Sequence, residues 1–351
     1  MLHLSKPPLL FAVWASLSLS SGFTQAADLA DDSKTPPLIR ALESTEKPKP
    51  VFADKKFSPY PEESLSFIGG TNTFDQQTYP YLETLIQLAY PKLKLKIRNL
   101  AWQGDTVFEQ TRPRYFFTNK GDKQPGSTPD QRQRTQPGIT FVTFGKMEAI
   151  NSDHSLADFS KTYHHFLDQL QKRSRRIVLI APTPFFAVGP AKELSQARNQ
   201  NLVKLTKIIA DTAKTRNFLH VDLFSPLSKA LDSNLSTDGI HLSDAGQRQV
   251  ALLTAQSLAF PIKAQAALSS PKLQTLEQAL RRKNFLWQQL YHPTNFPFLY
   301  GDRQSQPASR SHLNKDKRWF KEEISKIPAL IQATENDLHR YAGEVAATLA
   351  K

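Results

Sequence analysis

Apolar residues along the middle of this chain recur in two alternating rhythms, one of period two or unbroken, the other of period three to four. Leu65-Ser66-Phe67-Ile68 is a short apolar run and predicts a strand. Gly69-Gly70-Thr71-Asn72 closes it in a tight, permissive turn. Tyr79 to Tyr90 has helical spacing, with Tyr81, Leu85 and Leu88 on one side and Pro91 as the stop. Leu93 to Ile97 alternates apolar with lysine, the pattern of a strand with one solvated face at a sheet edge. Residues 112–138 are crowded with Pro, Gln, Arg and Gly and have no period, so they predict a long loop or insertion. Ile139 to Phe144 is a strand closed by Gly145-Lys146-Met147-Glu148. Leu156, Phe159, Tyr163, Phe166 and Leu170 step by three and four, an amphipathic helix. Ile177 to Ile180 is continuous, as in a buried parallel strand. A helix from about Ala191 to Arg216, a strand at Phe218 to Val221 and a helix to about Ala259 complete the series.

Such alternation predicts an α/β fold, a parallel sheet with helices on both faces, over residues 61–262. Ligands of open α/β sheets sit beyond the carboxyl ends of the strands. The Gly69–Asn72, Gly104, Gly145–Glu148 and Asp238–His241 stretches all follow predicted strands and would converge there. After Pro261 the character changes, and residues 263–351 predict a helical extension packed on the main domain. Tyr300 and Arg303, between its helices, are within reach of the site rim, although a packing loop is the plainer reading. Residues 27–60, rich in Pro, Lys, Asp and Ser, predict a flexible lead-in.

Composition narrows the setting. Residues 1–26 have a positive start, an apolar stretch from Leu9 to Leu19 and a small-x-small end at Thr24-Gln25-Ala26, the pattern of a secretory signal peptide. That stretch is too short to span a bilayer, and no later segment is long enough. An exported chain, periplasmic or secreted, is the expectation. There is no cysteine, which excludes disulfides, thiolate–metal sites and Cys nucleophiles. The formal charge is +13, and +12 for a chain starting at Ala27. Basic residues are scattered rather than grouped, without a nucleic-acid-binding motif, so an acidic glycan is the better candidate partner. His164 and His165 are adjacent on a helix with no acidic cluster opposite, so neither a metal nor any cofactor is expected. Oligomeric state has no signature in the sequence.

The chemistry centres on Ser236-Thr237-Asp238-Gly239-Ile240-His241-Leu242-Ser243-Asp244. A His held just before a helix N-cap, with an Asp three residues upstream, is the base half of a Ser-His-Asp type hydrolase. Alone, D-x-x-H is a weak signal. With the other blocks the chain resembles the SGNH (GDSL-type) hydrolases. Gly69-Gly70-Thr71 lies at the first block, Gly104 at the second, Gly145-Lys146-Met147-Glu148 at the third and Asp238/His241 at the fourth. The wording (GGTN, RNLxWxGDTVFEQ, FGxxEA, DGIHL) is similar to a divergent exported branch in planctomycete-type bacteria. The resemblance implies a three-layer α/β/α sandwich with a flavodoxin-like, parallel five-stranded sheet. It also implies Thr71, Asp238 and His241 as catalytic residues, with Gly70, Asn72, Gly104 and Lys146 around the oxyanion and substrate.

Two departures from the family pattern keep a second reading open. Thr71 stands at the position of the nucleophilic Ser, its extra methyl stiffening χ1. Met147 stands at the position of the oxyanion-binding Asn and cannot donate a hydrogen bond. Lys146 beside it is the candidate replacement, and Thr106 in Gly104-Asp105-Thr106 is a rival nucleophile. The chain is therefore expected to hydrolyse an ester of a small molecule or extracellular carbohydrate. The alternative is an inactive binding or scaffold protein that recognises an acidic glycan at the cell envelope.

Overall fold

Strand faces and helix stripes meet as their periods require. A computed structural model describes residues 35–42, 49–112, 135–136, 138–150, 154–299 and 301–349. The expected signal peptide, residues 1–26, and most of the expected 112–138 loop lie outside the described residues, as does Tyr300. The elements are α1 (Pro37–Arg40), β1 (Ser64–Gly69), α2 (Thr71–Phe74), α3 (Tyr81–Ala89), β2 (Lys96–Asn99), β3 (Ile139–Thr143), α4 (Leu156–Gln171) and β4 (Arg176–Ile180). They continue with α5 (Ser195–Arg216), β5 (Leu219–Val221), α6 (Phe224–Leu227), α7 (Asp244–Ser257), α8 (Ala264–Ala267), α9 (Gln274–Tyr291), α10 (Phe296–Leu299) and α11 (Trp319–Leu349). Among the described residues, five strands form one sheet in the order β2-β1-β3-β4-β5, every pair parallel.

Successive strand residues point to opposite faces. Ile177 and Leu179 of β4 join one core with Phe159, Tyr163 and Phe166 of α4 and Leu202, Leu205 and Ile209 of α5. Val178 and Ile180 join the other with Leu82, Leu85 and Ile86 of α3 and Val250, Ala251 and Ala255 of α7. The three layers predicted from the alternation are those observed. The helix predicted from Ala191 opens as a 3₁₀ turn at Gly189–Leu194 before α5 begins. It ends at Asn217, a left-handed cap at φ 57°.

Two expectations are corrected. The described part of the lead-in is not flexible coil. Leu38, Ile39 and Leu42 are fully buried in one core, and Phe52 and Phe57 are buried in the other. Those apolar residues are too few and too irregular to show a period among the prolines and lysines. The polar side of residues 93–97 is open at Lys94 and half-buried at Lys96, at the sheet edge as expected, but it is not solvated throughout: the next residue of that face, Arg98, pairs with Glu335 of α11 at 2.6 Å. Residues 35–351 cluster as one compact unit that includes the C-terminal helices. No helix among the described residues is long and apolar enough to cross a membrane.

Candidate active site

All four motif blocks reach the carboxyl edge of the sheet. β1 ends at Gly69, Gly70 takes an extended conformation, and Thr71 is the first residue of α2. At a helix start the first backbone N–H groups have no intrahelical acceptor. The loop after β2 turns back at Gly104, whose φ of +79° favours glycine although a Cβ there would meet nothing. Gly104 N–H points at Thr71 Oγ1 across 3.4 Å. After β3, Gly145 turns the chain into Lys146 and Met147.

The fourth block is the most tightly bonded. Asp238 Oδ2 is 2.6 Å from His241 Nδ1. Its Oδ1 accepts from the backbone amides of Ile240 at 2.8 Å and His241 at 2.7 Å. Partial burial pushes the Asp238 carboxyl up, but the His241 imidazole and these two amides outweigh it and hold it down at about 2. Ser236 Oγ donates to His241 O at 2.5 Å and accepts from Gly239 N–H at 2.9 Å, closing the turn. Ser243 then caps α7 by accepting from Gly246 N–H. His241 is thus fixed at one nitrogen while its side chain remains about half exposed.

Thr71 and His241 line one cavity of about 60 Å3, together with Gly70, Asn72, Lys146 and Met147. Asn72 takes a more definite role than substrate contact. Its Oδ1 accepts from Leu242 N–H at 2.9 Å and its Nδ2 donates to Ile240 O at 3.3 Å. One amide therefore grips the backbone on both sides of His241 and ties it to α2. Asn72→Ala is expected to lower stability by about 1–3 kcal/mol, the cost of orphaned backbone groups, and to slow any turnover that uses His241. Urea unfolding checks the first effect; an unchanged midpoint would show that the loop stands without this clamp.

Lys146 is buried, and its Nζ donates to Thr183 Oγ1 at 2.9 Å and Pro184 O at 3.0 Å. Phe185 and Phe186 lie within 6 Å of the ammonium. Burial pulls its pKa down to about 7, against the attraction of Asp238. Thr106 bonds Glu109 within its own turn and does not line the cavity. Arg303 lies over the Phe298 ring and does not line it either.

Residues to which the sequence assigned no role complete the site. Glu148 accepts from Val107 N–H at 2.7 Å and Gly145 N–H at 2.8 Å, joining the second and third blocks. Asn99 Nδ2 donates to Thr73 O at 2.7 Å, joining the second block to α2. Asp75, one turn beyond Thr71, lies in the field of His241; burial raises its carboxyl and the imidazole opposes the rise.

The GDSL-like lipase/acylhydrolase family matches residues 64–249, which holds all four blocks and more than half of the chain. The chain belongs to this family. A search of curated proteins gives no match. Among solved structures, a variant of Axe2, an acetyl xylan esterase from Geobacillus stearothermophilus, is similar at 18% identity and a TM-score of 0.44. The match covers 59% of this chain and 98% of that one. A gut microbial diltiazem-metabolizing enzyme is similar at 17% identity and a TM-score of 0.42, over 59% of this chain and 49% of that one.

Proposed function

We propose that this protein is an exported ester hydrolase that removes an acyl group from a carbohydrate or similar substrate through Thr71, His241 and Asp238. One observation carries the reading: the Asp238-bound imidazole of His241 lines the same small cavity as the Thr71 hydroxyl, onto which Gly104 N–H is directed. His241 Nε2 takes the Thr71 proton as Oγ1 attacks the ester carbonyl carbon. Asp238 holds the tautomer and supports the imidazolium. The oxyanion meets Gly104 N–H and the backbone N–H of Thr71, since those of Thr73 and Phe74 already donate to Gly70 O. His241 returns the proton to the leaving alcohol, and water, activated by the same nitrogen, releases the acyl group from Thr71. Losing one oxyanion donor typically costs about 10²–10³ in rate, so Met147 predicts a slower enzyme unless Lys146 supplies the missing charge.

The test is covalent trapping. A fluorophosphonate is expected to add its phosphonyl mass to the peptide that contains Thr71, and Thr71→Ala is expected to lose the adduct. Label on the Thr106 peptide instead would move the nucleophile to the second block. Thr71→Ser is expected to turn over p-nitrophenyl acetate at least as fast as the native chain, because it keeps the hydroxyl and drops the crowding methyl. A fall below the native rate would mean that the methyl positions Oγ1.

Met147, unable to donate at the oxyanion position, favours a second reading: an inactive member that binds an acidic glycan at the envelope through its basic surface, +12 for a chain starting at Ala27. Salt-sensitive retention on an anionic polysaccharide that survives His241→Ala, without ester turnover, would select this reading over the first.

A further inference from the structure

β2 is the edge strand of the sheet, so the carbonyls on its outer side have no strand to pair with. In a parallel strand these belong to alternate residues, here Leu95, Ile97 and Asn99, while Lys96 and Leu100 bond inward to Glu63 O and Phe67 O. Each outward carbonyl is met by a side chain of the C-terminal helices. His339 Nε2 of α11 lies 3.0 Å from Leu95 O. From α9, Lys283 Nζ donates to Ile97 O at 3.2 Å and Trp287 Nε1 donates to Asn99 O at 2.7 Å. Tyr291 OH then donates to Leu100 O at 3.2 Å, just past the strand. The register continues into the turn. The His292 ring stacks on Trp102 at 3.7 Å, and the Arg112 guanidinium covers Trp102 at 4.2 Å. Arg112 is held by both oxygens of Asp105, which also accepts from Trp102 N–H. Gly104 sits inside this turn, between Trp102 and Asp105.

We propose that α9 and α11 are a brace for the oxyanion half of the site, with Trp287, Tyr291 and His292 as positioning residues that hold Gly104 N–H on Thr71. A sheet edge can be blunted by many coverings, but this one meets Leu95, Ile97 and Asn99 at a two-residue period, Leu95 O being shared with Gln87 of α3, and its next two contacts, Leu100 and Trp102, lead into the Gly104 turn. The brace also reaches the nucleophile side. Asn99, whose carbonyl takes the Trp287 bond, spends its side-chain amide on Thr73 O at the end of α2. A shift of β2 along its axis would therefore move the Gly104 turn, while α2 and the His241 loop are held to each other and to α7 through Asn72. The inference rests on the reading of Gly104 as an oxyanion donor.

The test uses the full chain and two conservative variants, Trp287→Phe and Tyr291→Phe. Tyr291→Phe deletes one donor and keeps its ring; Trp287→Phe deletes the indole N–H and leaves a smaller ring in a buried place, so thermal unfolding of both variants checks that they fold. Backbone hydrogen exchange is expected to speed up several-fold across residues 99–106 and to stay unchanged across 236–243. Ester kcat is expected to fall about tenfold with KM nearly constant, because a misplaced oxyanion donor is felt in the transition state. Unchanged exchange over 99–106, or equal acceleration of both loops, would overturn the brace. If the native chain shows no ester turnover, the hydrolase reading fails, yet the exchange pattern still decides whether α9 holds the turn. Faster exchange with unchanged kcat would leave a structural edge cover and remove the catalytic role.

Discussion

Thr71→Ala and His241→Ala are each expected to lower kcat/KM for p-nitrophenyl acetate by about 10²–10⁴-fold, the usual contribution of a positioned acid–base group. The double variant is expected to lose little more than the worse single one. The proton and the nucleophilic electron pair belong to one event, so removing either partner removes both contributions. The geometry makes these variants clean. The His241 side chain is about half exposed, so its loss opens no core cavity. Asp238 keeps its two backbone bonds at Ile240 and His241 when the imidazole is gone, so the turn persists. Asp238→Ala would lack that property, since it orphans both amides and would confound fold with chemistry. Thermal unfolding within a few degrees of the native chain, beside the loss of turnover, is the expected pair of results. Undiminished turnover in His241→Ala would end the proposed mechanism whatever Thr71 does.

What the sequence discloses of this site depends on how local each signal is. A strand shows its period within six residues, and each block follows its strand directly. Thr71, Gly104, Lys146 and His241 could therefore be placed at one edge before any coordinates. The Asp238–His241 bond spans three positions and was legible for the same reason. Asn72 was not legible as a clamp, because its partners Ile240 and Leu242 lie some 170 residues away. Glu148 and Asn99 are alike in this: nothing near them in the chain calls for a carboxylate or an amide, and their roles exist only once Val107 and Thr73 arrive. The charged face of β2 misled for a related reason. Alternating lysines and Arg98 look the same whether the strand faces water or the carboxylate of Glu335, more than 200 residues later. The lead-in misled because Leu38, Ile39, Phe52 and Phe57 pack as isolated anchors, which have no period at all.

The native chain is expected to gain stability relative to Lys146→Met as pH rises from about 7 toward 10. Lys146 is a buried amine whose neighbours are a hydroxyl, a carbonyl and two aromatic rings. Burial lowers its pKa from 10.5 to about 7. In the unfolded chain the same amine keeps its ordinary value. Between those two values the unfolded chain binds the extra proton and the folded chain does not. Stability therefore rises with pH in that window, by up to about 1.4 kcal/mol per pH unit from this one group. Below pH 7 both states carry the proton, and the full cost of burying the charge is present. Methionine fills a similar volume and cannot titrate, so the difference between the two chains isolates the lysine from every other ionisation. Urea unfolding at pH 7, 8 and 9 reads it directly. Parallel pH dependences would mean that Lys146 stays charged in the folded protein, held by Asp238 across the site. It would then be a standing cation beside Met147, the condition under which it could take over the oxyanion role that Met147 cannot fill. A gap that widens with pH would mean a lysine neutral above about pH 7. Its charge would then be available to an oxyanion chiefly on the acid side of pH 7.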